Sequence, residues 1–477
     1  MRPLLAALAA LVAVPALAQS PVVSEPESRE AVSLTVYNGG FAVVREVRPI
    51  TVPQGVTALR FEGVPAQIDP TSLSLVSLTD PGSLSVLEQN YQYNLVSTQN
   101  VLDAAVGQRV RIVRDLGATT ETVEGVLISQ PGQGRIVRLD DGRVLVNPEG
   151  TIELLSLPDG LLSRPSLLWR LAAERGGEHR VEARYLTEGV SWKADYVAVV
   201  DEAETAVDLT GWVTLENNSG AAYPEAGLQL IAGDVRRVQP ERMQFLSQSA
   251  VAMDEVAVRR APQQEAFFEY HLYTFPTPTT VEENETKQLE LLSAADVGVG
   301  RQLVVDASGS YFPFYRRPRP GAGGATNEVS AAVVLEVENT EANNMGMPLP
   351  AGTVRVYKAD PRGNLQFLGE DRIGHTPQGE TVRLYVGDAF DVVATRRVVA
   401  DRRIDDDTRE LTVEVEVRNR KEEAAQVDVV ERVFYGDWRI TESSHDHERL
   451  DARTALFPVT LAPDETVTVR YTARLRG

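Results

Sequence analysis

The chain has 477 residues, 43% of them hydrophobic, with 68 acidic against 47 basic side chains and a net charge of −21. This apolar content excludes disorder throughout, and the length allows about three or four domains at roughly 100–200 residues each. The acidic excess repels phosphate and argues against a nucleic-acid partner, while the lack of cysteine excludes disulfides, thiol catalysis, thiolate zinc sites and cysteine-held iron–sulfur clusters.

Residues 1–18 read as a secretory signal peptide. Arg2 precedes an uninterrupted Leu/Ala/Val run from Leu4 to Val14, Pro15 breaks it, and Ala16-Leu17-Ala18 offers small residues before Gln19. The run is too short for a bilayer span, and no later stretch approaches one, so an extracytoplasmic protein without a transmembrane segment is expected. Gln19 in place of cysteine predicts that it is not a lipoprotein. Residues 19–30 read as a flexible leader, and 31–90 as an N-terminal β domain. In that domain Asn38-Gly39-Gly40 stands between alternating apolar runs, a hairpin signal because both residue types tolerate positive φ.

Residues 91–160 are expected to form a small SH3-like or Sm-like barrel. A short helix from Ser97 to Val106 ends at Gly107, and five strand-like runs follow, separated by glycine-containing turns. Residues 161–388 read as a central β-sandwich. It is interrupted by a mobile excursion at 236–268 and by the linker-like loop 316–325, where Arg316, Arg317 and Arg319 make the most basic local patch. Residues 389–477 read as a C-terminal immunoglobulin-like sandwich. There Leu411, Val413, Val415 and Val417 alternate with polar residues, and so do Val467, Val469, Tyr471, Ala473 and Leu475. Strands end in asparagine and a polar turn at Asn217, Asn339 and Asn419. The predicted fold class is therefore mostly β, with several antiparallel immunoglobulin-like sandwiches, one small barrel and little helix.

Few residues suggest chemistry. His445 and His447 would share a face if they lay in a strand, and two imidazoles at that spacing could chelate zinc or copper; the competing reading is a polar loop. The aromatic segment from Phe267 to Pro278 would place His271, Tyr273 and Phe275 on one face, as ligand contacts or as core. A nucleophile elbow, a P-loop, a dinucleotide fingerprint and H-E-x-x-H are all missing from the sequence, and the carboxylates are too many to pair by spacing.

Several stretches resemble one known group. LTVYNGGFAVVRE, LTEGVSWKADYVAV, LTGWVTLENNSG, EYHLYTFPTPTTVEENETKQLELL, PLPAGTVRVYKAD and LGEDRIGHTP are similar to the mucoidy inhibitor-like family, secreted bacterial proteins defined by a domain of unknown function. The similarity spans roughly 31–477. It implies a β-rich extracytoplasmic protein and brings no catalytic residue, cofactor or substrate with it. The coiled-coil insertion of many members has no heptad run here. The expected function is a non-catalytic envelope protein that binds a protein or polysaccharide or serves in assembly, with no cofactor. A hydrolase of envelope polymer and an extracytoplasmic metal-binding protein are the alternatives.

Overall fold

The computed structural model describes residues 21–93, 95–115, 119–129, 134–154, 156, 158, 161–233, 235–237, 262–306, 308, 326–432 and 436–476. Residues 1–18, expected as a signal peptide, most of the expected 236–268 excursion and the loop 316–325 lie outside the described residues. The protein is mostly β, with thirty strands and one α-helix among the described residues, and no described helix is long and apolar enough to cross a membrane. The one α-helix, Thr98–Ala104, is short and capped as its sequence requires. The Ser97 side chain accepts the Asn100 amide hydrogen, and Gly107 follows with φ +87°.

Residues 31–90 do not stand alone. Ala31–Tyr37 and Phe41–Val52 form the expected hairpin, but Ala31–Tyr37 also pairs in parallel with Tyr223–Ala232, and Phe41–Val52 pairs with Gly177–Glu188. These strands belong to an eight-stranded sheet running from Gln263–Phe267 at one edge to Ile68–Ser77 at the other. A four-stranded sheet joins Gly55–Glu62 and Leu84–Gln92 to Ser166–Ala173. The N-terminal and central domains are therefore one body, with the 91–160 unit inserted into it. Leu34, Phe61, Trp169, Tyr185, Leu215 and Leu291 all lie in its single core.

The expected flexible leader is corrected in part. Val22–Ser24 is a strand, parallel to Leu59–Phe61, and the buried Arg48 Nη1 holds the Ser24 carbonyl at 3.1 Å. Three residues on a parallel edge leave no alternation to read, so local pattern could not announce them.

The inserted unit has the five expected strands and its own small core around Val110, Ile112, Leu127 and Val137. Among the described residues its strands form a ladder in which no pairing joins the edge strands Val144–Val146 and Thr151–Leu154.

A thirteen-stranded sheet carries the rest. Its first part packs into the main core, and its last part surrounds a second core containing Val413, Val415, Val417, Val469, Tyr471 and Ala473, as the alternation requires. The boundary at 388/389 falls inside the strand Thr381–Arg403. Val382 and Leu384 of that strand lie in the first core, and Ala389, Val392 and Ala394 in the second. Glu285–Asp306 crosses in the same way, so the two cores are joined by continuous strands rather than by a linker.

Candidate binding site at the aromatic end of the first sheet

Strand direction brings three chain segments to one end of the eight-stranded sheet. Tyr37 and Phe41 close the first hairpin. Ile231 lies beside Tyr37, so the chain leaving Ala232 emerges at the same end. His271 is opposite Ala232, which places the hairpin between Gln263–Phe267 and Tyr270–Thr274 there too. The rings of Tyr37 and Phe41 stack with centroids 4.4 Å apart. The Arg237 guanidinium lies over Phe41 at 4.5 Å, a cation–π contact, and is 3.9 Å from Asp69. Burial raises the Tyr37 hydroxyl above its ordinary value, and the neighbouring Tyr270 adds to the shift. Tyr270 packs against Gly233 so closely that a Cβ there would stand 2.5 Å from the ring, which fixes why this position is glycine.

Phe268 is the unusual member. It occupies the first position of a two-residue hairpin loop, with φ +58°, where glycine is favoured because a side chain clashes with its own backbone. Its ring is 85% exposed, 6.2 Å from Tyr270, and Phe267 beside it is 55% exposed. A strained backbone and an unburied aromatic ring both work against stability at this residue. At this sheet end Phe267 and Phe268 are exposed, Tyr37 and Tyr270 half-buried and Phe41 buried, and with the Arg237 guanidinium they offer chemistry suited to gripping a partner.

The sequence-derived candidates fare differently. His271 and Tyr273 do share a face, but that face turns inward. Tyr273 is fully buried, its ring edge-on to Trp192 and its hydroxyl on the Pro348 carbonyl at 2.9 Å, so it is core and not a ligand contact. Phe275 packs partly buried against the same core. His271 is half-buried, its Nδ1 2.9 Å from the Gln264 amide; burial first and His375 second hold its imidazole below 6.5. His445 and His447 lie between strands, not in one, so the shared-face premise fails. The His445 Nδ1 is 2.8 Å from the Ser444 hydroxyl, and the His447 ring rests near Phe457. No group of three or more His, Cys, Asp or Glu side chains placed to hold a metal occurs among the described residues. His179 is a buried structural histidine, 3.1 Å from the Ser77 hydroxyl.

The remaining motifs converge on the stretch Met347–Ala351. Asn339 Nδ2 donates to the Met347 carbonyl at 2.9 Å, and the Tyr196 hydroxyl to the Pro350 carbonyl at 2.8 Å. Leu349 exchanges backbone bonds with Thr376, and the Ala351 amide donates to His375 Nδ1. PLPAG, GHTP, WKADY and YHLYT thus meet as locks on one stretch of chain. Next to it, an apolar cavity of about 20 Å³ lies among Tyr196, Leu209, Leu335, Met345, Leu349 and Ile373. It has room for about one water and no polar group to hold it, so it is a packing void.

Sequence reasoning missed Tyr37, Phe41 and Arg237, and held Phe268 only as a member of the aromatic segment from Phe267 to Pro278. The available signal was Phe268-Glu269 between two strand-like runs, a hairpin loop without its glycine. No family model matches the chain, and a search of the curated proteins finds no match.

Proposed function

We propose that this is an exported, non-catalytic protein of the cell envelope whose aromatic sheet end docks an envelope protein or polysaccharide. The observation that carries this reading is Phe268, a ring kept in solvent on a left-handed backbone where glycine would relieve both penalties. The leader-like first eighteen residues and the similarity of the motifs to the mucoidy inhibitor-like family support an extracytoplasmic setting. Rigid sheets that present loops at their ends are suited to holding partners.

The test is retention by gently solubilised envelopes, comparing the wild-type protein with Phe268→Gly. The wild type should co-purify with its partner or polymer. The glycine variant should lose that retention while folding at least as well. Equal retention by both would overturn the assignment of the docking end.

A further inference from the structure

The strand Gln263–Phe267 is the open edge of the eight-stranded sheet. One side pairs with Tyr270–Thr274 in unbroken register, and among the described residues no strand pairs with the other. Soluble proteins usually blunt such edges with proline, lysine, a bulge or a cover, because a row of unpaired N–H and C=O groups is a template for another chain. Three other edges among the described residues are blunted. Ile68–Ser77 contains Pro70 and shifts register, and Asp437–Ser443 carries a bulge between Ile440 and Glu442. Leu365–Ile373 runs so close to a neighbour that a Cβ on Gly369 would overlap the Val386 carbonyl. Gln263–Phe267 has no proline, lysine or bulge, and four of its five residues are exposed.

Its one charge, Glu265, sits at the centre of the strand and makes no ion pair among the described residues. Antiparallel self-pairing centred there would set Glu265 against its own copy, a repulsive cross-strand pair, whereas lysine or arginine opposite it would attract. The net charge of −21 steers basic segments toward the protein in the same sense. We propose that this edge takes up an extended segment of another polypeptide, with lysine or arginine opposite Glu265, as an added strand. Main-chain bonds would give the affinity, Glu265 the selectivity, and Phe267 would cover one end of the added strand. The inference rests on the docking reading above and names the class of partner.

The probe is a labelled short peptide alternating valine and lysine, with one analogue carrying glutamate for lysine and another carrying proline for valine. It is titrated against the full chain and Glu265→Lys by fluorescence anisotropy. The lysine peptide should bind the wild type several-fold, up to about tenfold, better than the glutamate peptide. Glu265→Lys should reverse that preference, and the proline analogue should not bind. Equal binding of the proline analogue would reveal mere attraction to an acidic body and overturn the proposal. So would a preference unchanged in Glu265→Lys, or no binding by any peptide. Phe268→Gly should keep the lysine preference even where it loses envelope retention, so the failure of one reading is distinguishable from the failure of the other.

Discussion

Tyr185 donates its hydroxyl to the buried Glu46 carboxylate at 2.9 Å, and Tyr471 makes the same bond at the same distance to the buried Glu431 in the second core. Arginine completes each group. Arg48 and Arg29 both reach Glu46 Oε2, and Arg396 reaches both oxygens of Glu431, at 3.0 and 3.2 Å. A carboxylate carried out of water survives only when its lone pairs are filled, and Glu46 and Glu431 are each held by such a set of partners. The first group also ties down the strand Val22–Ser24, because Arg48 Nη1 bonds the carbonyls of Ser24 and Glu62.

Breaking one partner should therefore be severe. Arg396→Met leaves Glu431 buried without its cation and should destabilise the protein by about 3–5 kcal/mol. Tyr471→Phe, which removes one bond, should destabilise it by about 1–3 kcal/mol. Urea unfolding measures both, and the double variant Arg396→Met, Glu431→Met should recover most of the loss. A double variant as unstable as the single would show that the pair is not the source.

The three strand-ending asparagines make one recurring device. Asn217, Asn339 and Asn419 are fully buried, and each Nδ2 donates to two backbone carbonyls while Oδ1 accepts a backbone amide. At Asn419 the carbonyls belong to Glu423 and Ala462, so the side chain bolts a turn to the next strand end. Asn419→Ala should destabilise by about 2–3 kcal/mol through orphaned carbonyls. Asn419→Asp should be worse at neutral pH, since a carboxylate oxygen would face those carbonyls. Thermal melts of the two variants decide the order.

Acid should act on the hairpin through His271. Burial, then His375, hold its imidazole below 6.5, so the unfolded chain takes up the proton more readily than the folded one. The contribution is fully present above pH 6.5 and is lost as pH falls through the folded value. Proton NMR should place the His271 titration below 6.5, and His375→Ala should move it only part of the way back, because burial is the larger cause.

A second acid response comes from the outer face of the C-terminal sheet. Hydrogen bonds from Arg474 and then Arg402 hold Glu410 below its ordinary 4.5, and Arg397 does the same for Glu414, with Arg470 adding to it. Depressed folded values mean a contribution present above pH 4.5 and lost as pH falls through those values. The melting temperature of Glu410→Gln, Glu414→Gln should therefore fall less steeply in acid than that of the wild type. Parallel curves would contradict the assignment.

Phe268→Gly should raise stability. Relief of a left-handed non-glycine backbone is worth about 1–2 kcal/mol, reduced by the greater freedom glycine gives the unfolded chain. Differential scanning calorimetry should show a higher melting temperature, whereas a lower one would mean that the ring supports the fold.

By itself, the sequence determined the strands. Leu411 to Val417 and Val467 to Leu475 alternate because a half-buried strand turns every second side chain inward, and their aliphatic members fill the second core. The Asn38-Gly39-Gly40 hairpin, the capped Thr98–Ala104 helix and the asparagine turns were legible for the same reason: each is set by residues a few positions apart. Only the tertiary structure decided which strands meet. The Tyr185 bond to Glu46 spans 139 residues, and Thr35 bonds Gln229 across 194. Such pairings are chosen by the joint burial of whole faces, not by local periodicity. That is why the apparent N-terminal domain proved to be part of a larger body. It is also why Tyr273, which the sequence left open as core or ligand contact, lies in the core, while Tyr37, Tyr270 and Phe268 reach one end of a sheet only through strand pairings distant in sequence.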